Sequence, residues 1–320
     1  MTRDEFISSI REELMQMLPE ELTKELDIQE TVIMKSNDQE HHGLTFKRET
    51  SEAAPTIYLD EAYERFTDGE ELHTITAELK DAYLETLSMP EPQKIDFDYD
   101  KIKDKLTVRL LEIKRNRSFL ESTPYMTVGH GLAMVCDIKM EDGHEGSWRA
   151  TVTQSMLEGQ NYDKRELFMA AMDNAQLIDP PILVDMGQAL FTHEGDNLLK
   201  RDEPLPPEDV SNMYILSNAG GRLGSAALFY PDTREHIAEV LGESYTVLPS
   251  SQHEVLIIPD SAGIDREHLA DMVKQANESV VEPKDVLSDN IFHYDRDEKK
   301  FELATPQTEK GSMVAEAGRY

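Results

Sequence analysis

The sequence has little cysteine, tryptophan or positive charge. One cysteine and one tryptophan occur in 320 residues, and 64 acidic residues stand against 32 basic ones, which gives a formal net charge of −32. A single cysteine excludes a disulfide within the chain and agrees with a reducing compartment. Cys136 lies in an apolar run, and we predict that its thiol is buried and structural.

The shortage of basic residues excludes several classes of partner. Nucleic-acid-binding surfaces neutralise phosphates with Lys and Arg, and an acidic surface repels both phosphates and anionic lipid. No apolar run approaches about 20 residues, and the first residues lack the charged-then-apolar layout of a secretory signal. We therefore expect a cytoplasmic protein that binds neither nucleic acid nor membrane and whose partner is a basic protein. The sequence does not indicate an oligomeric state.

The motifs that hold metals and cofactors are also missing. The histidines show no His-x-x-x-His spacing, and a lone cysteine cannot form a Cys pair. The glycine-rich run 218–225 lacks the lysine of a P-loop and precedes a strand-like run at 226–230, so it fails the dinucleotide fingerprint as well. We predict no metal and no cofactor, and we interpret run 218–225 as a hairpin connection.

The first 89 residues have the pattern of a small α+β unit. Apolar residues recur at three- and four-residue steps over 4–18 and again over 72–87, which predicts two amphipathic helices. Strand-like runs lie between them at 31–34, 44–46 and 56–59. Pro90 and Pro92 then interrupt any helix, and we place a linker at 90–98. A main domain is expected over 99–304, followed by a disordered acidic tail over 305–320.

The main domain mixes helices and strands in irregular order. Ile102, Leu106, Leu110 and Ile113 have helical spacing and predict a helix over 102–113. Further helices are predicted at 167–178, 234–241 and 265–278, and strands at 125–128, 132–140, 148–153, 213–216, 245–248 and 255–258. A final hairpin is expected near 295–300. The order predicts an α+β fold, in which a largely antiparallel mixed sheet packs with helices.

The segment between the strands at 245–248 and 255–258 carries the densest set of chemically capable side chains. Ser250 or Ser251 has the chemistry of a nucleophile, His253 that of its base, and Glu254 that of the group that orients the base. Adjacent residues of an extended segment point to opposite faces, however, and the chain has no Gly-x-Ser-x-Gly motif. The alternative is structural, with hydroxyls that satisfy turn backbone groups and a hydrogen-bonded histidine.

Six segments together resemble an uncharacterised family of anaerobic bacteria, the domain of unknown function numbered five-six-eight-eight. They are HGLT (42–45), APTIYL (54–59), MYILSN (213–218), GSAALFYP (224–231), LPSSQHE (248–254) and VLSD (286–289). The resemblance extends over nearly the full length. It implies a cytosolic α+β protein in which the LPSSQHE segment is a family feature, and it implies no activity.

Three hypotheses for function follow from these patterns. The first is a non-enzymatic binding or regulatory protein whose acidic surface contacts a basic partner. The second is a small hydrolase that uses Ser250 or Ser251, His253 and Glu254. The third, weaker one is a nucleic-acid mimic, which requires carboxylates in a double row at the spacing of phosphates. The position of the carboxylates and the convergence of the four polar residues discriminate among them.

Overall fold

The protein was analysed as a computed structural model, which describes residues 1–49, 54–88, 98–142, 146–159, 162–192 and 196–304. The chain divides into two compact units, Met1–Asp96 and Phe97–Tyr320. The predicted linker, apart from Asp98, and the predicted tail lie outside the described residues. No helix among the described residues is long and apolar enough to cross a membrane.

Unit 1 contains a three-stranded antiparallel sheet and helices. Its elements are α1 (Arg3–Met17), α2 (Glu20–Thr23), β1 (Leu26–Lys35), β2 (Gln39–Arg48), β3 (Thr56–Tyr58), α3 (Asp60–Thr67) and α4 (Leu72–Ser88). The strand order is β1-β2-β3, with β2 in the centre. A 3₁₀ turn, Ser36–Asp38, joins β1 to β2.

The core of unit 1 forms where α1 and α4 meet the sheet. Thr2 caps α1 in a capping box with Glu5, which satisfies free N–H groups at the helix start. The stripe Phe6, Ile7, Ile10 and Leu14 is buried, as its periodicity predicts. Sheet and α4 residues complete the core: Leu26, Ile28, Leu44, Phe46, Ile75 and Tyr83. Both predicted helices of this unit are therefore confirmed.

Unit 2 contains the remaining elements. They are α5 (Tyr99–Ile102), β4 (Leu106–Glu112), α6 (Arg117–Glu121), β5 (Tyr125–Gly129), β6 (Leu132–Asp142), β7 (Gly146–Thr151), α7 (Gln154–Leu157), α8 (Lys164–Ile178), β8 (Pro181–Asp185), α9 (Met186–Thr192), β9 (Tyr214–Asn218), α10 (Thr233–Leu241), β10 (Tyr245–Leu248), β11 (Val255–Pro259), α11 (Arg266–Ser279), β12 (Phe292–Asp295) and β13 (Lys300–Leu303). A 3₁₀ helix, Gly224–Phe229, lies between β9 and α10.

The strands of unit 2 form two sheets. One has the order β13-β12-β10-β11-β9-β8, and in the other β6 pairs with β4, β5 and β7. Every described strand pair is antiparallel. The predicted α+β class is therefore confirmed. Cys136 lies on β6, is 1% exposed, and carries a free thiol whose pKa is raised by burial, as predicted.

The predicted helix over 102–113 is wrong. Only the short α5 and a 3₁₀ turn precede Leu106, and the rest is strand β4, which pairs with β6 from Leu106↔Ile138 to Glu112↔Leu132. All seven residues of β4 are buried, so both of its faces pack against protein. Leu106, Val108 and Leu110 alternate with Thr107 and Arg109, which is the two-residue period of a strand, and the four-residue spacing of the apolar residues fits that period as well as a helical one.

The interpretation of run 218–225 as a hairpin connection is also wrong. The strand expected at 226–230 is replaced by the buried 3₁₀ helix Gly224–Phe229, so no second strand follows the glycine-rich run. This run of small and apolar residues is buried on all sides, and short fully buried segments of this kind do not reveal their structure by periodicity. The final hairpin, in contrast, is confirmed as β12 and β13.

Candidate functional site

The segment from Pro249 to Glu254 forms the polar corner, which connects the paired strands β10 and β11. Leu248 pairs with Leu256 where the corner begins, and buried Val255 follows it. The apolar strands fix both ends of the corner, so its polar side chains are held at the end of the six-stranded sheet.

Both ring nitrogens of His253 have a polar neighbour. The backbone N–H of Leu223 donates to Nδ1 over 3.1 Å, and Nε2 lies 3.3 Å from Oδ1 of Asp285. Because Nδ1 accepts a hydrogen bond, it carries no proton, and the ring proton resides on Nε2 and points to the carboxylate. Neither nitrogen is left to accept a proton from a serine.

The two serines of the corner contribute to local structure. The backbone N–H of His253 donates to Ser251 Oγ over 3.0 Å, an arrangement that closes a tight turn. The carbonyl oxygen of Ser250 accepts the N–H of Leu287 over 3.0 Å, so Ser250 is anchored by its backbone. Glu254 is exposed and is not the carboxylate that contacts His253. The four predicted residues are therefore neighbours along the chain, but no described contact joins a serine hydroxyl or the Glu254 carboxylate to the His253 ring.

The acidic partner of His253, Asp285, was missed by sequence reasoning. Asp285 belongs to a loop that runs beside the corner, and its carbonyl oxygen accepts the N–H of Gln252 over 2.8 Å. The Gln252 side chain donates to the carbonyl oxygen of Lys284, and Pro249 O accepts the N–H of Ser288. Asp285 directly precedes the VLSD segment, which is the one sequence signal near it. Its contact with His253 is long-range, and a single sequence does not reveal such contacts.

The glycine-rich segment forms the other side of the corner. The N–H of Gly224 donates to the carbonyl oxygen of His253 over 2.9 Å, and the Ser217 hydroxyl donates to the same oxygen over 2.8 Å. A Cβ atom on Gly224 would lie 2.2 Å from Ser217 Oγ, so no other residue fits there. Leu223 has a φ of +57°, which directs its N–H to the imidazole. Two separate chain segments, 217–224 and 284–288, thus contact the corner through hydrogen bonds.

Two further polar networks lie in unit 2. Arg109 on β4 contacts Asp137 on β6 at 3.1 Å, and both side chains are largely buried. Asp179, after α8, accepts Lys139 and Arg149 at 2.8 Å each. Each carboxylate therefore has a cation, which is the usual condition for burial of charge. Burial and the nearby charge of Asp179 raise the pKa of Tyr230 to about 12.

A third network links β4 to the loop that carries the VLSD segment. Buried Glu112 accepts the Ser288 hydroxyl over 2.8 Å and pairs with Arg115, which also pairs with Asp289. Burial alone raises the pKa of Asp289, but the hydrogen bond from Asn277 and the charge of Arg115 outweigh it, and the pKa is lowered. The LPSSQHE and VLSD segments therefore join one structural network.

The described residues also line open cavities. One, of about 780 Å³, lies in unit 2 between β8 and the segment before β9 and includes Asp185, Asn197, Lys200 and Tyr214. A groove of about 570 Å³ lies in unit 1 between α1 and β1. Within the described part of the chain, no three His, Cys, Asp or Glu residues are grouped so that they could hold a metal ion.

These features define an α+β protein in which the polar corner is held by hydrogen bonds to neighbouring chain segments. The sequence model of one family, described as a family of unknown function (DUF5688), matches residues 3–296. The chain belongs to this family, and the resemblance of the six segments is confirmed. Searches of curated proteins and of solved structures found no significant match.

Proposed function

We propose that the protein is a non-catalytic binding or regulatory protein of the cytoplasm and that its acidic surface binds a basic partner. The observation that carries the proposal is the formal net charge of −32. A surface field of this size attracts cationic surfaces over about a Debye length and repels anionic ones. Membership of a family of unknown function adds no activity.

The arrangement of charges in unit 1 supports this proposal. Six carboxylates between α1 and the first half of β1 are exposed: Glu12, Glu20, Glu21, Glu25, Asp27 and Glu30. Arg11 pairs with Glu30 at 3.4 Å and Lys24 pairs with Glu20 at 3.2 Å, so two of the six are partly neutralised. The remaining carboxylates give this region a clear excess of negative charge.

The geometry of the polar corner supports a structural role over the hydrolase hypothesis. A serine nucleophile needs a base with a free nitrogen within hydrogen-bond reach. Both nitrogens of His253 are already in contact with Leu223 and Asp285. A reaction at Ser250 or Ser251 would first require these bonds to break.

The test is affinity capture with the immobilised full-length chain. Proteins from a lysate of the source organism are bound at about 0.05 M salt and eluted towards about 1 M, where the Debye length falls to about 3 Å. The proposal predicts that the captured proteins are basic and leave the column as salt rises. A matched control carries Gln in place of Glu20, Glu21 and Glu25, and it should retain less. Capture of acidic proteins, or retention independent of salt, would contradict the proposal.

The cytoplasmic location has a separate test. Cys136 is a buried free thiol, a state that suits a reducing compartment. Fractionation of the source cells should recover the protein in the cytoplasmic fraction. Recovery in the membrane or the culture medium would refute this part of the proposal.

A further inference from the structure

Strand β1 is an edge strand with ten residues. In the three-stranded sheet of unit 1, β1 pairs with β2 from Leu26↔Arg48 to Lys35↔Gln39, and no other described strand pairs with it. A long unpaired edge exposes backbone groups that pair readily with another chain.

The register identifies which residues of β1 face this open edge. In β2, the N–H of Phe46 donates to Pro55 O and the carbonyl oxygen of His42 accepts from Leu59, so the even-numbered residues of β2 face β3. The odd-numbered residues of β2 then face β1 and pair with odd-numbered residues there, such as Thr31↔Gly43. The backbone groups of the even-numbered residues of β1 therefore point outward: Leu26, Ile28, Glu30, Val32 and Met34.

These outward groups are free to accept another strand. Among the described residues, no backbone hydrogen bond joins any of the five to another element. Val32 has a side chain that is 57% exposed although it is apolar. An edge with these properties is normally covered or paired in a stable protein.

A groove runs beside this edge. It lies between α1 and β1, and its apolar lining consists of Met15, Leu26 and Ile28. Two exposed carboxylates, Glu12 and Asp27, flank it, and neither forms an ion pair with a described residue. A strand added to β1 would place alternate side chains over α1 and the others on the side of Asp27.

We propose that the open edge of β1 binds an extended cationic segment of a partner protein as a fourth strand. The proposal rests on the acidic-surface function above and assigns that function to one edge. Backbone hydrogen bonds to the outward groups provide affinity, and alternating apolar and Lys or Arg side chains match the groove and Asp27. A second copy of this chain fits poorly, because β1 paired with itself would bring Asp27 and Glu30 near like charges.

The test uses the full-length chain and a fluorescent synthetic peptide with alternating Lys and Val residues, followed by fluorescence anisotropy. Val32→Pro removes an outward N–H and leaves the β1–β2 ladder intact, because the backbone of Val32 faces away from β2. We expect this variant to bind about tenfold more weakly, since proline interrupts the added strand. The matched control Val32→Ala keeps the N–H and should bind within about twofold of the wild type.

Charge reversal tests the chemistry of the occupant. Asp27→Lys should weaken binding of the same peptide by about tenfold, whereas Glu85→Lys on the exposed face of α4 should have a much smaller effect. Equal losses for the two variants would show a general charge effect and would overturn the assignment to β1.

Hydrogen exchange tests the same edge in the wild-type chain and does not depend on the folding of Val32→Pro. On binding of the Lys-Val peptide to the wild-type chain, the outward N–H groups of Ile28, Glu30 and Val32 should gain protection, while inward groups such as that of Thr31 change little. Unchanged exchange along β1 in the presence of bound peptide would overturn the inference.

The outcomes separate this inference from the proposed function. Salt-dependent peptide binding that is equal in Val32→Pro and Val32→Ala would overturn the edge assignment and leave the acidic-surface function standing. Absence of any cationic binding, in the capture experiment as well, would remove both. A dimer in sedimentation that Val32→Pro dissociates would show that the occupant is a second copy.

Discussion

His253 offers the sharpest test of the structural role of the polar corner. Its replacement by Ala removes the acceptor for the N–H of Leu223 and the contact with Asp285. Loss of a partner for a buried polar group costs about 1–3 kcal/mol, and the half-buried position allows water to replace part of the bond. We therefore expect the free energy of unfolding to fall by about 1–2 kcal/mol, with a decrease in Tm of about 2–8 °C.

Two matched variants identify which ring nitrogen of His253 contributes more to the free energy of unfolding. His253→Asn places a carboxamide oxygen near the position of Nδ1 and keeps an acceptor for the Leu223 N–H, whereas His253→Gln extends towards the position of Nε2 and Asp285. The Asn variant should recover more of the lost stability than the Gln variant, because the bond to the backbone N–H is the one that a buried donor needs.

The assay is urea unfolding followed by tryptophan fluorescence. The chain has one tryptophan, Trp148, and it belongs to the unit that contains the corner, so the signal reports that unit. The reasoning would be refuted if His253→Ala were within about 0.3 kcal/mol of the wild type, or if Asn were no better than Ala.

Three further predictions concern other positions. Tyr83→Phe should leave stability unchanged or raise it by up to about 1 kcal/mol in urea unfolding, because the buried Tyr83 hydroxyl has no partner among the described residues; a clear loss would indicate one. Gly224→Ala should destabilise by more than about 2 kcal/mol through its clash with Ser217 and the nearby backbone; it should cost more than Gly221→Ala, where a Cβ meets no atom within 4 Å and only the left-handed φ of +64° adds strain of about 1–2 kcal/mol, and equal thermal shifts would contradict this. Asp289 has a lowered pKa, so it stabilises the fold above its unfolded pKa of about 3.9, and this contribution is lost as the pH falls through its folded pKa. The Tm difference between wild type and Asp289→Asn should therefore be largest near neutral pH and should close in acid, and a difference that does not depend on pH would contradict the lowered pKa.

The elements that the sequence predicts well are those with one buried face. The stripe Phe6, Ile10 and Leu14 indicates α1, because burial of one face leaves its period in the sequence. Strand β4 alternates apolar and polar residues from Leu106 to Leu110, but its apolar positions also continue the four-residue spacing from Ile102, so the spacing alone fits a helix as well. The 3₁₀ helix Gly224–Phe229 is different, because a short and mostly buried run of small and apolar residues does not distinguish a strand from a helical turn.

The candidate site is predictable only in part. The position of the polar corner between two strands follows from the local sequence, and so does the expectation that its hydroxyls bond to backbone groups. Its partners do not, because Asp285 and Leu223 reach His253 through the tertiary fold. The open edge of β1 is likewise a property of strand order, which no local pattern in the sequence specifies.

The central claim is that the acidic surface carries the function and that the polar corner does not catalyse a reaction. Treatment of the intact full-length protein with a fluorophosphonate probe tests it most directly, because such probes react with activated serines. The account predicts no labelling of Ser250 or Ser251, since among the described residues no contact joins either hydroxyl to the imidazole of His253. Labelling of one of these serines in the wild type, lost in a His253→Ala protein that remains folded, would contradict the account and establish a hydrolase.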